Sequence, residues 1–125
     1  MKKILIVDND EDFLQLLSKR LTTEGYSVIK ATNGAEAIGW ALLEHHDIII
    51  LDVLMPDMEG EEVAAKLKEY PQTKNIPVIF LTALITKADE KKCSPKADGK
   101  IVFAKPLDTE QLLERIKKLL CPAAV

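Results

Sequence analysis

Five short, mostly β-branched apolar runs alternate along the chain with segments of helical periodicity, and this alternation restricts the fold more than any other feature. Each run is almost continuously hydrophobic, which is typical of strands buried on both faces of a parallel sheet. Parallel strands need right-handed crossover connections, which helices supply. The pattern therefore predicts an α/β fold with one doubly wound, five-stranded parallel sheet in the order 2-1-3-4-5 and helices on both faces. The predicted strands are Ile4–Val7, Tyr26–Lys30, Ile48–Leu51, Val78–Leu81 and Ile101–Ala104.

Four segments between and after these runs have apolar residues at helical spacing. Gly25 ends the first helix, Pro71 the third and Pro122 the last, because glycine and proline interrupt helical hydrogen bonding. The segment Thr86–Cys93 is nearly all polar and precedes Pro95, so we expect only a short helix there. The four stronger helices are predicted from Asp10 to Glu24, from Asn33 onward, from Glu59 to Tyr70, and from Asp108 or Thr109 onward.

The composition indicates a globular protein that acts without nucleic acid or a membrane. The 125 residues suffice for one domain, 1–125, and 47% of them are hydrophobic. The net charge is −3 with both signs scattered, so no basic patch favours nucleic acid. The chain contains no run of about 18 apolar residues, so the sequence predicts no membrane span. Cys93 and Cys121 match no metal or redox spacing and are expected to be free thiols in a reducing cytoplasm.

Chemically matched side chains follow four of the five predicted strands. Asp8 and Asn9 follow strand 1, and Asp52 follows strand 3. Thr82 follows strand 4, and Lys105 follows strand 5. These strands are neighbours in the predicted order, and ligands of such sheets gather beyond the carboxyl ends of the strands. A single acid at a strand end is usually a helix cap, but two acids, a hydroxyl and an ammonium group in one crevice predict a functional site.

These groups suit phosphoryl transfer. A carboxylate can attack phosphorus as a nucleophile and form an acyl phosphate. The transferred group carries negative charge on its oxygens, so catalysis consists mostly of positioning and charge neutralisation. A hard cation such as Mg²⁺, bound by oxygen ligands, neutralises part of that charge, and a lysine neutralises another part. The pattern therefore predicts a phosphoryl-accepting site that uses Mg²⁺.

Four motifs, in order and at matching spacing, resemble the response-regulator receiver domain of two-component signalling. They cover essentially the whole chain, and although each is weak alone, the ordered set is specific. The resemblance implies a flavodoxin-like fold of the kind found in chemotaxis receivers. The motifs are Ile4-Leu5-Ile6-Val7-Asp8, Asp52-Val53-Leu54-Met55-Pro56 with Gly60, Thr82-Ala83, and Lys105-Pro106.

The resemblance also implies how the site works. Asp52 would be the phosphoacceptor, with Thr82 contacting the phosphoryl group and Lys105 pairing with Asp52 or its phosphate. The donor would be the phosphohistidine of a histidine kinase or a phosphotransfer protein. The chain would not be an enzyme with a separate substrate, since it would phosphorylate and dephosphorylate only itself. It would be a stand-alone cytoplasmic switch that docks on a downstream protein partner.

Mg²⁺ would be the cofactor, and its site departs from the family pattern at Asn9. The ligands would be Asp8, Asn9, Asp52 and the main-chain carbonyl of Leu54. The family usually has a second acid at this position, so here a neutral amide replaces one negative charge beside the cation. Weaker Mg²⁺ binding is expected. One alternative is therefore a receiver-like module that binds proteins and is not phosphorylated.

A more remote alternative is a phosphatase. The pair Asp8-x-Asp10 also resembles the nucleophile motif of haloacid-dehalogenase-type phosphatases, in which Asp8 would be the nucleophile of a true enzyme. That family normally has Thr or Val two residues after the second acid, where this chain has Asp12. The chain is also short for a catalytic core with a cap.

The adjacent histidines His45 and His46 suggest a metal site at first sight. No third ligand is spaced to complete it, so the sequence favours a solvated helix end instead.

Overall fold

The structure is a computed structural model, and it describes residues 2–53, 57–82, 101–104 and 109–120. The strands are β1 (Lys3–Val7), β2 (Ser27–Ala31), β3 (Ile48–Asp52), β4 (Val78–Thr82) and β5 (Ile101–Ala104). The helices are α1 (Glu11–Thr23), α2 (Gly34–Leu43), α3 (Gly60–Leu67) and α4 (Thr109–Leu120). The short helix expected at Thr86–Cys93 lies outside the described residues.

The strands form one parallel sheet in the order β2-β1-β3-β4-β5. Val7 at the end of β1 is paired with Ala31 on one side and Leu51 on the other, and Leu51 is also paired with Phe80 of β4, so β1 and β3 lie in the interior of the sheet. The predicted parallel sheet is confirmed, and β2, β1, β3 and β4 have the predicted order. The backbone of β5 pairs in parallel with β4 at the far edge.

Helices cover both faces of the sheet, and β1 shows why its sequence is continuously apolar. Ile4 and Ile6 point to one face, where they pack with α1 and α4. Leu5 and Val7 point to the other face, where they pack with α2 and α3. All four side chains are buried, and full burial of one such side chain stabilises the fold by roughly 1.5–3 kcal/mol.

Side-chain caps determine where α1 and α2 begin. The Asp10 carboxylate accepts a hydrogen bond from the Phe13 N–H at 3.1 Å, and the Asn33 side chain accepts one from the Glu36 N–H at 2.9 Å. Each cap satisfies an N–H group that has no partner within the first helical turn. The Glu36 carboxylate in turn accepts from the N–H and the hydroxyl of Thr32, and these bonds lower the pKa of Glu36.

The third helix ends at Leu67, three residues before the predicted end at Tyr70. In a longer α-helix the Leu67 carbonyl would accept from residue 71, but Pro71 has no N–H to donate. The buried Thr73 hydroxyl donates to the Leu67 carbonyl instead. The proline thus terminates the helix as predicted, and its effect reaches back by one turn.

His46 lies between α2 and β3 and is completely buried, so its interpretation as part of a solvated helix end is wrong. Neither ring nitrogen has a hydrogen-bond partner among the residues that the structure describes. Burial lowers the pKa of His46 below the ordinary value of 6.5, and the negative charge of Glu44 opposes this effect only in part.

The free energy of unfolding is therefore expected to fall as the pH drops below about 6.5. Below that value the unfolded chain binds a proton at His46 that the folded chain binds less readily, so acidification favours unfolding. Urea unfolding at pH 7.5 and 5.5 measures this loss. The His46→Phe variant should lose less stability than the wild type, whereas His45→Gln, which changes an exposed ring, should behave like the wild type. An identical pH dependence in His46→Phe would show that His46 is not the responsible group.

Within the parts of the chain that the structure describes, no helix is both long enough and apolar enough to cross a membrane.

Candidate functional site

Two buried carboxyl groups lie at adjacent strand ends. Val7 of β1 is paired with Leu51 of β3, and Asp8 and Asp52 directly follow this pair. The side chains of Asp8 and Asp52 are buried, with 1% and 6% of the residue surface exposed. Ionised groups are seldom buried without a function or a partner, because their removal from water is costly. The sheet therefore brings together the two acids that the sequence predicted at this edge.

Thr82 lies one residue farther along β4 than the residue that pairs with Asp52. Asp52 is paired with Leu81 of β4, and the half-buried Thr82 ends that strand. Thr82 is itself paired with Ala104, the last residue of β5. Lys105 follows Ala104 directly in the sequence but lies outside the described residues, as does Leu54. The structure thus places Asp8, Asp52 and Thr82 along three neighbouring strand ends.

The polar residues of the loop after β1 have different roles. The Asp10 N–H donates to Oδ1 of Asp8 at 2.9 Å, which orients the buried carboxylate. The Asp10 carboxylate caps α1 through the Phe13 N–H and so serves the helix. Asn9, between them, has an exposed side chain. Asp10 therefore positions Asp8 through its backbone, and its own carboxylate is engaged at the start of α1.

Gly60 brings the start of α3 against the end of β3. Its N–H donates to the Val53 carbonyl at 2.8 Å, and the Val53 N–H donates to the Leu81 carbonyl at 2.9 Å. A Cβ atom at residue 60 would lie 2.5 Å from the Asp52 carbonyl oxygen, which is closer than any real carbon approaches. Only glycine allows this contact, so the glycine of the second sequence motif holds the backbone of Asp52 in place.

Asp57 is a part of this region that the sequence did not reveal. Its carboxylate accepts hydrogen bonds from the N–H groups of Gly34 and Ala35, at 2.9 and 3.0 Å. These bonds at the N-terminus of α2 lower the pKa of Asp57. The next residue, Met58, packs so closely on Gly34 that a Cβ atom there would overlap it. An acid five residues after Asp52 was the only signal, and its partners are 22 and 23 residues away in the sequence.

The described part of the site fits a hard cation that keeps several waters. Mg²⁺ prefers oxygen ligands and commonly uses one or two carboxylates together with the oxygens of a phosphate. Asp8 and Asp52 provide two such carboxylates at neighbouring strand ends. Among the residues described, no cluster of three or more His, Cys, Asp or Glu side chains forms a complete metal site.

Comparison with known proteins identifies one family over almost the whole chain. The family model for the response regulator receiver domain matches residues 4–117. The response regulator PleD of Caulobacter vibrioides is 38% identical over 117 residues, which are 94% of this chain. The chain spans only 26% of the length of PleD.

Two other relatives match this chain over most of their own length. The polar-differentiation response regulator DivK of Brucella ovis is 31% identical over 119 residues, which cover 95% of this chain and 96% of DivK. The chemotaxis protein CheY4 of Vibrio cholerae superposes with a TM-score of 0.81 at 33% identity, covering 96% of this chain and 99% of that one. These likenesses give no support to the haloacid-dehalogenase alternative. The chain belongs to the response regulator receiver domain family.

Proposed function

We propose that this receiver domain is a phosphoacceptor switch whose phosphorylated residue is Asp52. The observation that carries the proposal is the buried Asp52 carboxyl at the end of β3, beside the buried Asp8 of β1. Asp52 ends β3, a strand in which every residue is buried, and the start of α3 contacts the Asp52 backbone. Such a rigid support suits in-line transfer, in which positioning provides most of the catalysis.

The transfer step balances without any redox chemistry. A carboxylate oxygen of Asp52 attacks the phosphorus of a phosphohistidine, a new O–P bond forms, and the N–P bond to the imidazole breaks. The imidazole leaves with the electron pair of that bond and takes up a proton. The signal ends by hydrolysis. Water attacks the phosphorus, the O–P bond to Asp52 breaks, and inorganic phosphate leaves. The chain therefore acts only on itself and turns over no separate substrate.

The neighbouring residues have supporting roles in this proposal. Asp8, Asp52 and the main-chain carbonyl of Leu54 would bind Mg²⁺, with Asn9 as a weak ligand. The cation, when bound, neutralises charge on the phosphoryl oxygens. The Thr82 hydroxyl donates a hydrogen bond to one of these oxygens, and its place at the end of β4 supports this role. Lys105 would pair with the phosphorylated Asp52 as a compact positive charge.

The partners follow from the same chemistry. A histidine kinase or a phosphotransfer protein would supply the phosphohistidine, and a downstream protein would bind one of the two charge states of the domain. Phosphorylation replaces the single negative charge of the Asp52 carboxylate with about one and a half to two charges on the phosphoryl group, a net gain of about half to one negative charge, and it adds acceptor oxygens. The relatives DivK and CheY4 are named as response regulators of polar differentiation and of chemotaxis, and a signalling role of this kind is the one we propose here.

Acetyl phosphate tests the function without a kinase. Purified protein is mixed with this small donor in the presence and absence of Mg²⁺, and the intact mass is measured. The expected result is the mass of one added phosphoryl group, seen only with Mg²⁺. No mass increase under either condition would favour the alternative of a protein-binding module that is not phosphorylated, with Asn9 as its cause.

Asn9→Asp is expected to tighten Mg²⁺ binding. The variant adds a carboxylate beside a divalent cation, and even in water-like surroundings that attraction is on the order of 1–2 kcal/mol, or roughly tenfold in affinity. Mg²⁺ titrations followed by amide chemical shifts measure the change. Gln72→Glu adds the same charge before β4, at the opposite end of the sheet, and should leave the affinity unchanged. Equal affinities for Asn9→Asp and the wild type would mean that residue 9 does not reach the metal.

A further inference from the structure

Asp57 connects two segments that are distant in the sequence. It belongs to the loop between β3 and α3, and its carboxylate bonds the first two N–H groups of α2, those of Gly34 and Ala35. The next N–H of the helix, from Glu36, is bonded by the Asn33 side chain. The start of α2 therefore has two caps, one from the residue before the helix and one from a loop 22 or 23 residues away.

The charge of Asp57 suits this place. The N-terminus of a helix carries partial positive charge, and it favours a carboxylate over a neutral group. The contact is reinforced by Met58, which packs directly on the Cα atom of Gly34. A helix cap of the usual kind needs only the residue before the helix. A second cap from another loop has a further consequence, because it determines where that loop lies.

The same loop is also held at its other end. The Val53 carbonyl accepts from the Gly60 N–H, and Gly60 packs on the carbonyl of Asp52. The anchors at Val53 and Asp57 flank residues 54–56. Asp52, the proposed phosphoacceptor, directly precedes Val53. Both ends of the loop are thus attached to secondary structure.

We propose that Asp57 is a positioning residue of the phosphoacceptor site, which holds the loop after Asp52 on the N-terminus of α2 and thereby fixes the backbone of Asp52, the proposed phosphoacceptor and Mg²⁺ ligand. The inference rests on the proposed function and deepens it. Asp57 itself touches neither the metal nor the phosphoryl group. Its loss is expected to weaken Mg²⁺ binding and, through the metal, to slow phosphoryl uptake.

Asn33 offers a matched control for the structural part of this role. Asn33→Ala removes a cap from the same helix end but leaves the loop bonded to Gly34 and Ala35. Asp57→Ala removes the bond between the loop and the helix. Asp57→Asn keeps an oxygen that can accept a hydrogen bond while it removes the charge, so it should restore part of the function.

Two measurements are made on these three variants and the wild type. Amide hydrogen exchange reports whether Gly34 and Ala35 lose protection, which is expected in Asp57→Ala and not in Asn33→Ala. Mg²⁺ titration, followed by amide shifts, gives the affinity without any phosphorylation. We expect Asp57→Ala to weaken the affinity by on the order of tenfold, as for other outer-shell partners of metal sites. Asp57→Asn should be intermediate, and Asn33→Ala should match the wild type.

The outcomes separate this inference from the phosphoacceptor assignment. Equal Mg²⁺ affinities in Asp57→Ala and the wild type would overturn the positioning role, as would an equal loss in Asn33→Ala. If the wild type binds Mg²⁺ but takes no phosphoryl group from acetyl phosphate, the proposed function fails, and the Mg²⁺ affinities still decide the role of Asp57. If the wild type does not bind Mg²⁺ at all, both proposals fall.

Discussion

The Asp52→Asn variant is expected to take up no phosphoryl group from acetyl phosphate and Mg²⁺ while it keeps the fold. The amide has the shape of the carboxyl group but lacks the charged oxygen that attacks phosphorus. Loss of a covalent nucleophile should reduce uptake below detection in the intact mass. Asp47→Asn is the matched control, because it makes the same substitution directly before β3, at the opposite end of the same strand. It should be phosphorylated like the wild type.

The fold of Asp52→Asn should be at least as stable as that of the wild type. Asp8 and Asp52 are both buried at adjacent strand ends, and neighbouring carboxylates repel each other. Removing one charge relieves that repulsion. Thermal unfolding followed by circular dichroism measures the effect. A midpoint well below that of the wild type would mean that Asp52 has a structural role that the proposed function does not include.

The largest loss of stability is expected from Gly60→Ala. The added Cβ atom would lie 2.5 Å from the Asp52 carbonyl oxygen and 3.0 Å from the Val53 Cα atom. The first is a backbone atom of the last residue of β3 and the second belongs to the next residue, so neither can move without disturbing the sheet. Overpacking of this kind costs about 1–3 kcal/mol. Because Asp52 must shift, phosphoryl uptake should also become slower.

Gly39→Ala is the control for Gly60→Ala. Gly39 lies within α2, and nothing lies within 4 Å of a Cβ atom added there. Alanine favours a helix over glycine by about 1 kcal/mol, so this variant should be more stable than the wild type. Urea unfolding should therefore shift in opposite directions for the two substitutions. If Gly60→Ala were as stable as Gly39→Ala, the close contact between α3 and β3 would not exist in solution.

The strands and their terminal residues could be predicted because each depends on a local pattern. A continuously apolar run such as Ile48–Leu51 has no polar face to expose, so it must be buried on both sides. The parallel arrangement then brings the residues after these runs to one edge. Asp8, Asp52 and Thr82 were found by this reasoning alone. Lys105, predicted in the same way, and Leu54, implied only by the family resemblance, lie outside the described residues and stay predictions.

The features that escaped prediction depend on contacts between distant segments. His46 looked like part of an exposed helix end because two polar rings in a row are usually solvated, but tertiary packing buries it completely. The sequence led to no prediction for Asp57, since no local pattern indicates its bonds to Gly34 and Ala35. The early end of α3 follows from Pro71, but the hydroxyl that satisfies the freed Leu67 carbonyl belongs to Thr73, six residues away. In each case the deciding partner is several residues away or on another element.

Location of the phosphoryl group within the chain tests the central claim most directly. The protein is treated with acetyl phosphate and Mg²⁺, then with borohydride, which reduces an acyl phosphate to an alcohol with loss of phosphate. Peptide mass spectrometry then identifies the altered residue. If Asp52 is the phosphorylated residue, homoserine should be found at position 52, and no other acidic residue should be converted. An unaltered Asp52, or homoserine at Asp8 instead, would contradict the claim.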